Sequence, residues 1–136
     1  MTEPSIVASV PAAPSQHAWR HFSDLLALET DCWDVHTSLS AGATDFVLLD
    51  VRSPESFVAG HIDGAVSVPH PTIDAETVSA FPDDVLFVVY CAGPHCNGAD
   101  RAAVHLAALG RPVKKMIGGV AGWTDEGFDL VAGPPT

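Results

Sequence analysis

The stretch Val85-Leu86-Phe87-Val88-Val89-Tyr90, followed at once by Cys91, determines how the rest of the chain is interpreted. A continuous apolar run rich in β-branched and aromatic residues, bounded by turn-forming residues, is typical of a strand buried on both faces. Strands of that kind belong to parallel sheets, in which helices cover both faces. The run therefore predicts a central strand, with Cys91 at its carboxyl end.

The segments around this strand alternate between strand and helix patterns. Phe46-Val47-Leu48-Leu49 predicts a second buried strand ending at Asp50. Pro and Gly residues and capping side chains delimit the remaining elements. These are short strands over 65–68 and 113–117, and helices over 53–60, 97–110 and 119–126. This alternation predicts an α/β sandwich around a parallel sheet.

The N-terminal part of the chain has a different composition. Residues 1–17 are rich in Pro, Ala and Ser and are predicted to form a flexible tail, whereas 18–133 form one domain. A first helix is expected to start near Ser23 and Asp24. Its apolar face would hold Phe22, Leu25, Leu26 and Leu28. A second helix is expected after Asp34, with Val35 and Leu39 on its apolar face, ending at Gly42, and Trp19 and Trp33 are expected to pack these helices.

Composition narrows the classes of function. With 136 residues, 47% of them hydrophobic, the chain suits one domain with a substantial core. A net charge of −11 argues against nucleic acid or an anionic membrane as a partner. The chain contains no apolar run long enough for a membrane span or a signal peptide, and three cysteines do not make a disulfide framework. We expect a cytoplasmic protein with no cofactor.

The position of Cys91 predicts a reactive thiol. Sites in open α/β sheets form beyond the carboxyl ends of strands, close to helix N-termini. Here a loop containing Gly and Pro leads into a helix that Asn97 can cap, so backbone N–H groups can converge on an anion. Such a setting favours the thiolate, which is the nucleophilic form of cysteine. On position alone, Cys91 could equally be a small packing residue in the core.

Three blocks of sequence resemble the rhodanese family. Leu49-Asp50-Val51-Arg52-Ser53-Pro54-Glu55-Ser56-Phe57, followed by Gly60-His61-Ile62-Asp63-Gly64-Ala65, is similar to the family signature. Val88-Val89-Tyr90-Cys91 resembles the strand that leads into the active-site cysteine of that family. Gly118-Gly119 with Trp123 resembles its closing motif. The resemblance implies a three-layer α/β sandwich in which helices flank a small parallel sheet.

The resemblance also implies an activity, sulfurtransfer. Cys91 would take sulfane sulfur from thiosulfate or a persulfide donor and pass it, through a cysteine persulfide, to a thiol or cyanide acceptor. The substrate-binding loop would comprise Ala92, Gly93, Pro94, His95, Cys96, Asn97 and Gly98. Asp50, Arg52 and Arg101 are candidate supporting residues. The alternative is a non-enzymatic rhodanese module that binds a partner or carries persulfide.

The loop departs from the family pattern in two respects. Rhodanese loops often carry Arg or Lys soon after the cysteine, but here Arg101, within the helix, is the nearest cation. The segment from Cys91 to Gly110 is also slightly longer than usual, which either widens the loop or extends the helix. Cys96 is a candidate resolving thiol, and the alternative is a packing residue. His95 is either a solvent-facing residue or a group that tunes the thiolate.

Other chemistries fit the sequence less well. A phosphatase or arsenate reductase of this fold needs Arg at the sixth position after the cysteine, and Asn97 stands there. No metal site is expected, because the donors near Cys91 lack the separated pairs of zinc sites. We expect a structural role for the signature residues: an ion pair between Arg52 and Glu55, Asp50 bonded to the loop backbone, and His61 bonded within its turn. Cys32, Trp123 and Phe128 are expected to be packing residues.

Overall fold

The computed structural model describes residues 3–136 and contains one five-stranded sheet. Its strands are β1 (Glu29–Thr30), β2 (Phe46–Asp50), β3 (Val66–Ser67), β4 (Leu86–Tyr90) and β5 (Val113–Met116). Their spatial order is β1-β5-β4-β2-β3, and every neighbouring pair is parallel. The predicted parallel sheet is confirmed, and β4 lies at its centre.

Five helices alternate with the strands. These are α1 (Ser15–Leu28), α2 (Cys32–Ser40), α3 (Pro54–Ala59), α4 (Gly98–Ala108) and α5 (Gly119–Asp125), with a short 3-10 helix over His70–Thr72. The Ser53 hydroxyl caps α3 and the Asp31 carboxylate caps α2, so both helices begin where a side chain accepts a free backbone N–H. Among residues 3–136, no helix has both the length and the apolar character needed to cross a bilayer.

The two faces of the sheet are buried by different helices. Leu49, Phe87 and Val89 point towards α4, whereas Leu48, Val88 and Tyr90 point towards α2 and α5. This alternation follows from the two-residue period of a strand, and here both sets are apolar because both faces are covered. The arrangement is the expected three-layer sandwich.

Three expectations about the N-terminal helices are wrong. The second helix begins at Cys32, with the Asp31 carboxylate as its cap, rather than after Asp34. The first helix begins at Ser15, directly after Pro14, rather than near Ser23 and Asp24. Trp19 and Trp33 are 72% and 60% exposed, so neither packs in the core. Apolar side chains on α1 are also exposed: Phe22, Leu26 and Leu28. The helical pattern was recognisable, but of the predicted apolar face only Leu25 is half-buried in the described chain.

Candidate active site

Cys91 lies directly after β4 and is only 6% exposed. It borders a cleft of about 180 Å³ between the start of α4 and the turn that joins β5 to α5. The cleft is lined by Cys91, Gly93, Pro94, Cys96, Ala99, Asp100, Lys115, Met116, Ile117, Gly118 and Gly119. The expected placement of the thiol beyond the carboxyl end of a central strand agrees with this geometry.

Gly98 is the first residue of α4. Because it has no side chain, the Cys91 sulfur can occupy the space beside it. A Cβ atom at Gly98 would lie 2.7 Å from Cys91 Sγ and 3.5 Å from Cys96 Sγ. The half-buried ring of His70 also approaches this point, with Cδ2 at 3.4 Å. His70 was not recognised from the sequence, because it belongs to a different segment that only the fold brings to α4.

The electrostatics of the Cys91 thiol combine two opposing effects. Burial raises its pKa, and hydrogen bonding with the Cys96 thiol raises it further. The backbone N–H groups of Ala92 and Gly98 act in the opposite direction, as predicted for this type of loop. The net direction is upward, which differs from the expectation that this setting favours the thiolate. The amides reduce the desolvation penalty of the Cys91 thiolate without removing it.

Cys96 is the second thiol of the cleft. Its Sγ accepts a hydrogen bond from the Gly98 N–H at 3.4 Å, and the pKa of Cys96 is lowered by the Cys91 thiol and then by that amide. Cys96 is half-buried, and neither it nor Cys91 is in a disulfide. The two sulfur atoms therefore share backbone donors and both lie close to Gly98, a relationship that could not be predicted from the sequence.

Helix α5 holds the loop from the opposite side. The N–H of Val120 donates to the carbonyl of Cys91 at 3.0 Å, and the N–H of Ala121 donates to that of Ala92 at 2.9 Å. Gly119 adopts a left-handed φ of 59°, and a Cβ there would lie 2.8 Å from the Gly93 nitrogen. Only a glycine allows this close approach, which explains the Gly118-Gly119 pair.

The rest of the loop is more exposed. Its turn is closed by a 3.1 Å hydrogen bond from the Cys96 N–H to the Gly93 carbonyl. Pro94 and His95 face solvent, with the His95 ring against Gly93. Asn97 precedes α4 as expected, but its side chain accepts from Arg101 Nε at 3.1 Å instead of capping a backbone N–H.

The cation that the loop lacks is supplied by β5. Lys115 lines the cleft, and its ammonium contacts Asp100 at 2.9 Å and Glu29 at 3.4 Å. The hydrogen bond with Asp100 raises the pKa of Lys115. Arg101 is absent from the cleft lining. Lys115 could not be recognised as a site residue from the sequence, because β5 reaches the site only through its pairing with β4.

Asp50 and Arg52 form a structural network beside the site. The buried Asp50 carboxylate accepts from Arg52 Nη2 and from the Tyr90 hydroxyl, each at 2.7 Å. Arg52 Nη2 also donates to the Gly60 carbonyl, and the Tyr90 oxygen accepts from the Ile62 N–H. Burial, and then the Asp50 charge, raise the pKa of Tyr90, which keeps its hydroxyl protonated as a donor.

Three expectations about the signature residues need correction. Arg52 pairs with Asp50 rather than with Glu55. The Asp50 carboxylate bonds Arg52 and Tyr90, not the loop after Cys91. His61 bonds outside its own turn, with Nδ1 2.8 Å from the Phe57 carbonyl and its ring stacked on Phe57. Their role is structural, as expected, although the partners differ.

Two of the residues that were expected to pack in the core, Trp123 and Cys32, do so. Trp123 is buried and its Nε1 donates to the Asp129 carbonyl, and Cys32 is buried beneath the Gly118–Gly119 turn. Burial raises the pKa of Cys32 to about 11, which disfavours its thiolate form. Phe128 is half-buried and stacks on the His36 ring at 3.8 Å.

The region of the chain that contains this site matches a known protein family. Residues 34–126 match the Rhodanese-like domain family. The chain belongs to that family.

Relatives of this rhodanese-like domain differ in size and architecture. It is 33% identical over 93 residues to the HTH-type transcriptional regulator Rv0324 of Mycobacterium tuberculosis, covering 68% of this chain and 41% of the regulator. The chain therefore matches less than half the length of that regulator. It is 32% identical over 96 residues to the chloroplastic Thiosulfate sulfurtransferase 16 of Arabidopsis thaliana, covering 62% of this chain and 78% of that enzyme.

A solved structure supports the fold over nearly all of its length. The BH2092 protein from Bacillus halodurans superposes with a TM-score of 0.85 at 34% identity, covering 88% of this chain and 87% of that one. Sulfurtransferases are among the relatives of this rhodanese-like domain at about this level of identity.

Proposed function

We propose that this rhodanese-like domain is a sulfurtransferase that carries sulfane sulfur as a persulfide on Cys91. The observation that carries the proposal is the surroundings of the Cys91 sulfur. This sulfur borders the cleft and faces the N–H groups of Ala92 and Gly98. Gly98 has no side chain that would fill the space beside the sulfur. A purely structural cysteine needs neither the amides nor the space.

In the proposed reaction, the Cys91 thiolate attacks the sulfane sulfur of the donor. The bond between that sulfur and the rest of the donor breaks, and the electron pair leaves with sulfite or with a thiolate. The terminal persulfide anion is then stabilised by the N–H groups that converge on the site. A thiol or cyanide acceptor attacks the terminal sulfur and restores the Cys91 thiolate.

The charges around the cleft favour a donor with little charge. Lys115 is the cation in the cleft wall, and it is held by two carboxylates, Asp100 and Glu29. The three charges together carry one negative unit, which opposes the approach of the thiosulfate dianion. We therefore expect small organic persulfides to be better donors than thiosulfate, and a small-molecule or protein thiol to be the acceptor, in a reducing cytoplasm.

Steady-state transfer tests the proposal. Purified protein would be supplied with glutathione persulfide or thiosulfate together with cyanide, and thiocyanate would be measured. Turnover should be lost in Cys91→Ser and retained in Cys32→Ala, which removes a cysteine outside the cleft. Equal turnover in wild type and Cys91→Ser would refute the proposal. Absence of turnover with every donor would favour the non-enzymatic persulfide-carrying or partner-binding module.

A further inference from the structure

The cleft is lined by two thiols rather than one, and both lie close to Gly98. A Cβ atom at Gly98 would lie 2.7 Å from Cys91 Sγ and 3.5 Å from Cys96 Sγ, and both thiols interact with the N–H groups of Ala92 and Gly98. The 3.1 Å hydrogen bond from the Cys96 N–H to the Gly93 carbonyl folds the intervening loop back, which keeps Cys96 beside Cys91. Cys96 also lines the cleft, so it is within reach of any group attached to Cys91.

From this juxtaposition we infer that Cys96 is a resolving thiol that discharges the Cys91 persulfide as hydrosulfide and closes a Cys91–Cys96 disulfide. The inference rests on the proposed function, since it needs a persulfide on Cys91. It extends that function by giving the domain a second outcome for the bound sulfur, which is reduction instead of transfer to an external acceptor.

The chemistry balances without an added oxidant. The Cys96 thiolate attacks Cys91 Sγ and forms the disulfide bond, while the bond between Sγ and the terminal sulfur breaks. The electron pair leaves with the terminal sulfur, which accepts the proton as hydrosulfide. The terminal sulfur is thus reduced and the two cysteine sulfurs are oxidised. A small dithiol then reduces the disulfide by thiol–disulfide exchange and returns both cysteines to the starting state.

The persulfide has two sulfur atoms that Cys96 could attack, the inner one (Cys91 Sγ) and the outer, terminal one. A comparison of the two leaving groups favours attack on the inner sulfur. In thiol–disulfide exchange, the sulfur with the lower pKa leaves faster. Attack on the outer sulfur would expel the Cys91 thiolate, whose pKa is raised by burial. Attack on the inner sulfur expels hydrosulfide, which the open cleft can release to solvent. The pKa of Cys96 is lowered by the Cys91 thiol and by the Gly98 amide, which favours the thiolate form of Cys96.

The test follows a single turnover by mass. Reduced wild type, Cys96→Ser, Cys91→Ser and the control Cys32→Ala would be freed of reductant and mixed with one equivalent of glutathione persulfide. Samples quenched in acid would be measured as intact proteins, and free sulfide would be trapped with a bimane reagent. Peptide mapping without reductant would locate any disulfide, and circular dichroism would check folding.

We expect wild type and Cys32→Ala to gain the mass of one sulfur atom briefly and then to release sulfide. Both proteins should end two hydrogen atoms lighter than their reduced forms, with a disulfide between residues 91 and 96. Cys96→Ser should keep the added sulfur and release sulfide at least roughly tenfold more slowly, since no neighbouring thiolate attacks. A dithiol added afterwards should restore the wild-type mass.

The two proposals fail in different ways. A wild type that keeps its added sulfur as long as Cys96→Ser, without sulfide or a 91–96 link, overturns the resolving role and leaves the sulfurtransferase proposal intact. If neither protein gains sulfur, both proposals are overturned together. If Cys91→Ser gains sulfur as wild type does, loading occurs on Cys96 and the assigned roles are wrong.

Discussion

The Cys91 sulfur occupies the space next to Gly98, where a Cβ atom would lie only 2.7 Å away. That distance is shorter than any ordinary carbon–sulfur contact, so a methyl group at Gly98 must displace the thiol. Glycine is therefore required at the first position of α4 because of the neighbouring thiol, and not because of the helix itself.

Gly98→Ala should separate activity from stability. Displacing a nucleophile by a fraction of an ångström is expected to lower kcat/KM for sulfur transfer by roughly tenfold or more. The unfolding free energy should change little, because alanine favours a helix by up to ~1 kcal/mol over glycine and offsets part of the strain. Transfer kinetics and urea denaturation measure the two effects.

The matched control is Gly60→Ala. A Cβ at Gly60 meets only the Leu130 side chain, at an ordinary 3.4 Å, and Gly60 is absent from the cleft lining. Its transfer rate should equal that of the wild type. Full activity of Gly98→Ala would contradict the assigned position of the thiol.

Gly119→Ala should destabilise the whole domain. The substitution combines a left-handed φ of 59° with a collision against the backbone of the Cys91 loop. We expect a loss of about 3 kcal/mol or more, because the left-handed conformation alone costs about 1–2 kcal/mol. Gly127→Ala provides the control, since Gly127 has φ 85° but no atom within 4 Å of a Cβ. Equal losses in both variants, measured by chemical denaturation, would argue against the close approach.

Asp100→Asn should shift donor preference towards thiosulfate. Removing this carboxylate releases Lys115 from its 2.9 Å contact and makes the cleft less negative. We expect kcat/KM for thiosulfate to rise roughly two- to fivefold, which is the range of an exposed ion pair, and to fall again with added salt. The value for glutathione persulfide should change less. Asp84→Asn makes the same charge change at the opposite end of β4 and should leave both donors unaffected.

The pH dependence of alkylation should reveal the coupling between the thiols. Burial and Cys96 both raise the pKa of Cys91, so its reaction with iodoacetamide should rise with pH beyond the ordinary range of a free thiol. In Cys96→Ala the contribution of Cys96 is removed and that of burial remains. The midpoint of Cys91 alkylation, followed by peptide mass analysis, should therefore move to lower pH. An unchanged midpoint would show that the two thiols titrate independently.

The sheet and the place of Cys91 at the end of its central strand could be predicted because they depend on local patterns. Continuous apolar runs identified β2 and β4, and the end of a central strand identified Cys91. Contacts between distant segments could not be predicted in the same way. Lys115 and His70 reach the site through strand order and helix packing, which no local pattern encodes.

Other errors have a similar physical origin. The pairing of Arg52 with Asp50 rather than Glu55 depends on where the guanidinium points at the end of β2. The exposure of Trp19 and Trp33 depends on whether another element covers them, and an apolar pattern does not contain that information. The proximity of Cys91 and Cys96 depends on the geometry of the turn between them.

The hydrogen bonds from Val120 and Ala121 to the Cys91 loop also bear on how the protein is made. Ribosomes synthesise every strand of the sheet before α5, so a nascent chain carries its cysteine for some time without the segment that shapes the loop. During that interval the loop lacks the two hydrogen bonds that hold it against α5. A chain shortened before Gly119 should accordingly keep the cysteine and fail to load it. In the proposed sulfurtransferase, loading of Cys91 would therefore wait until α5 is in place.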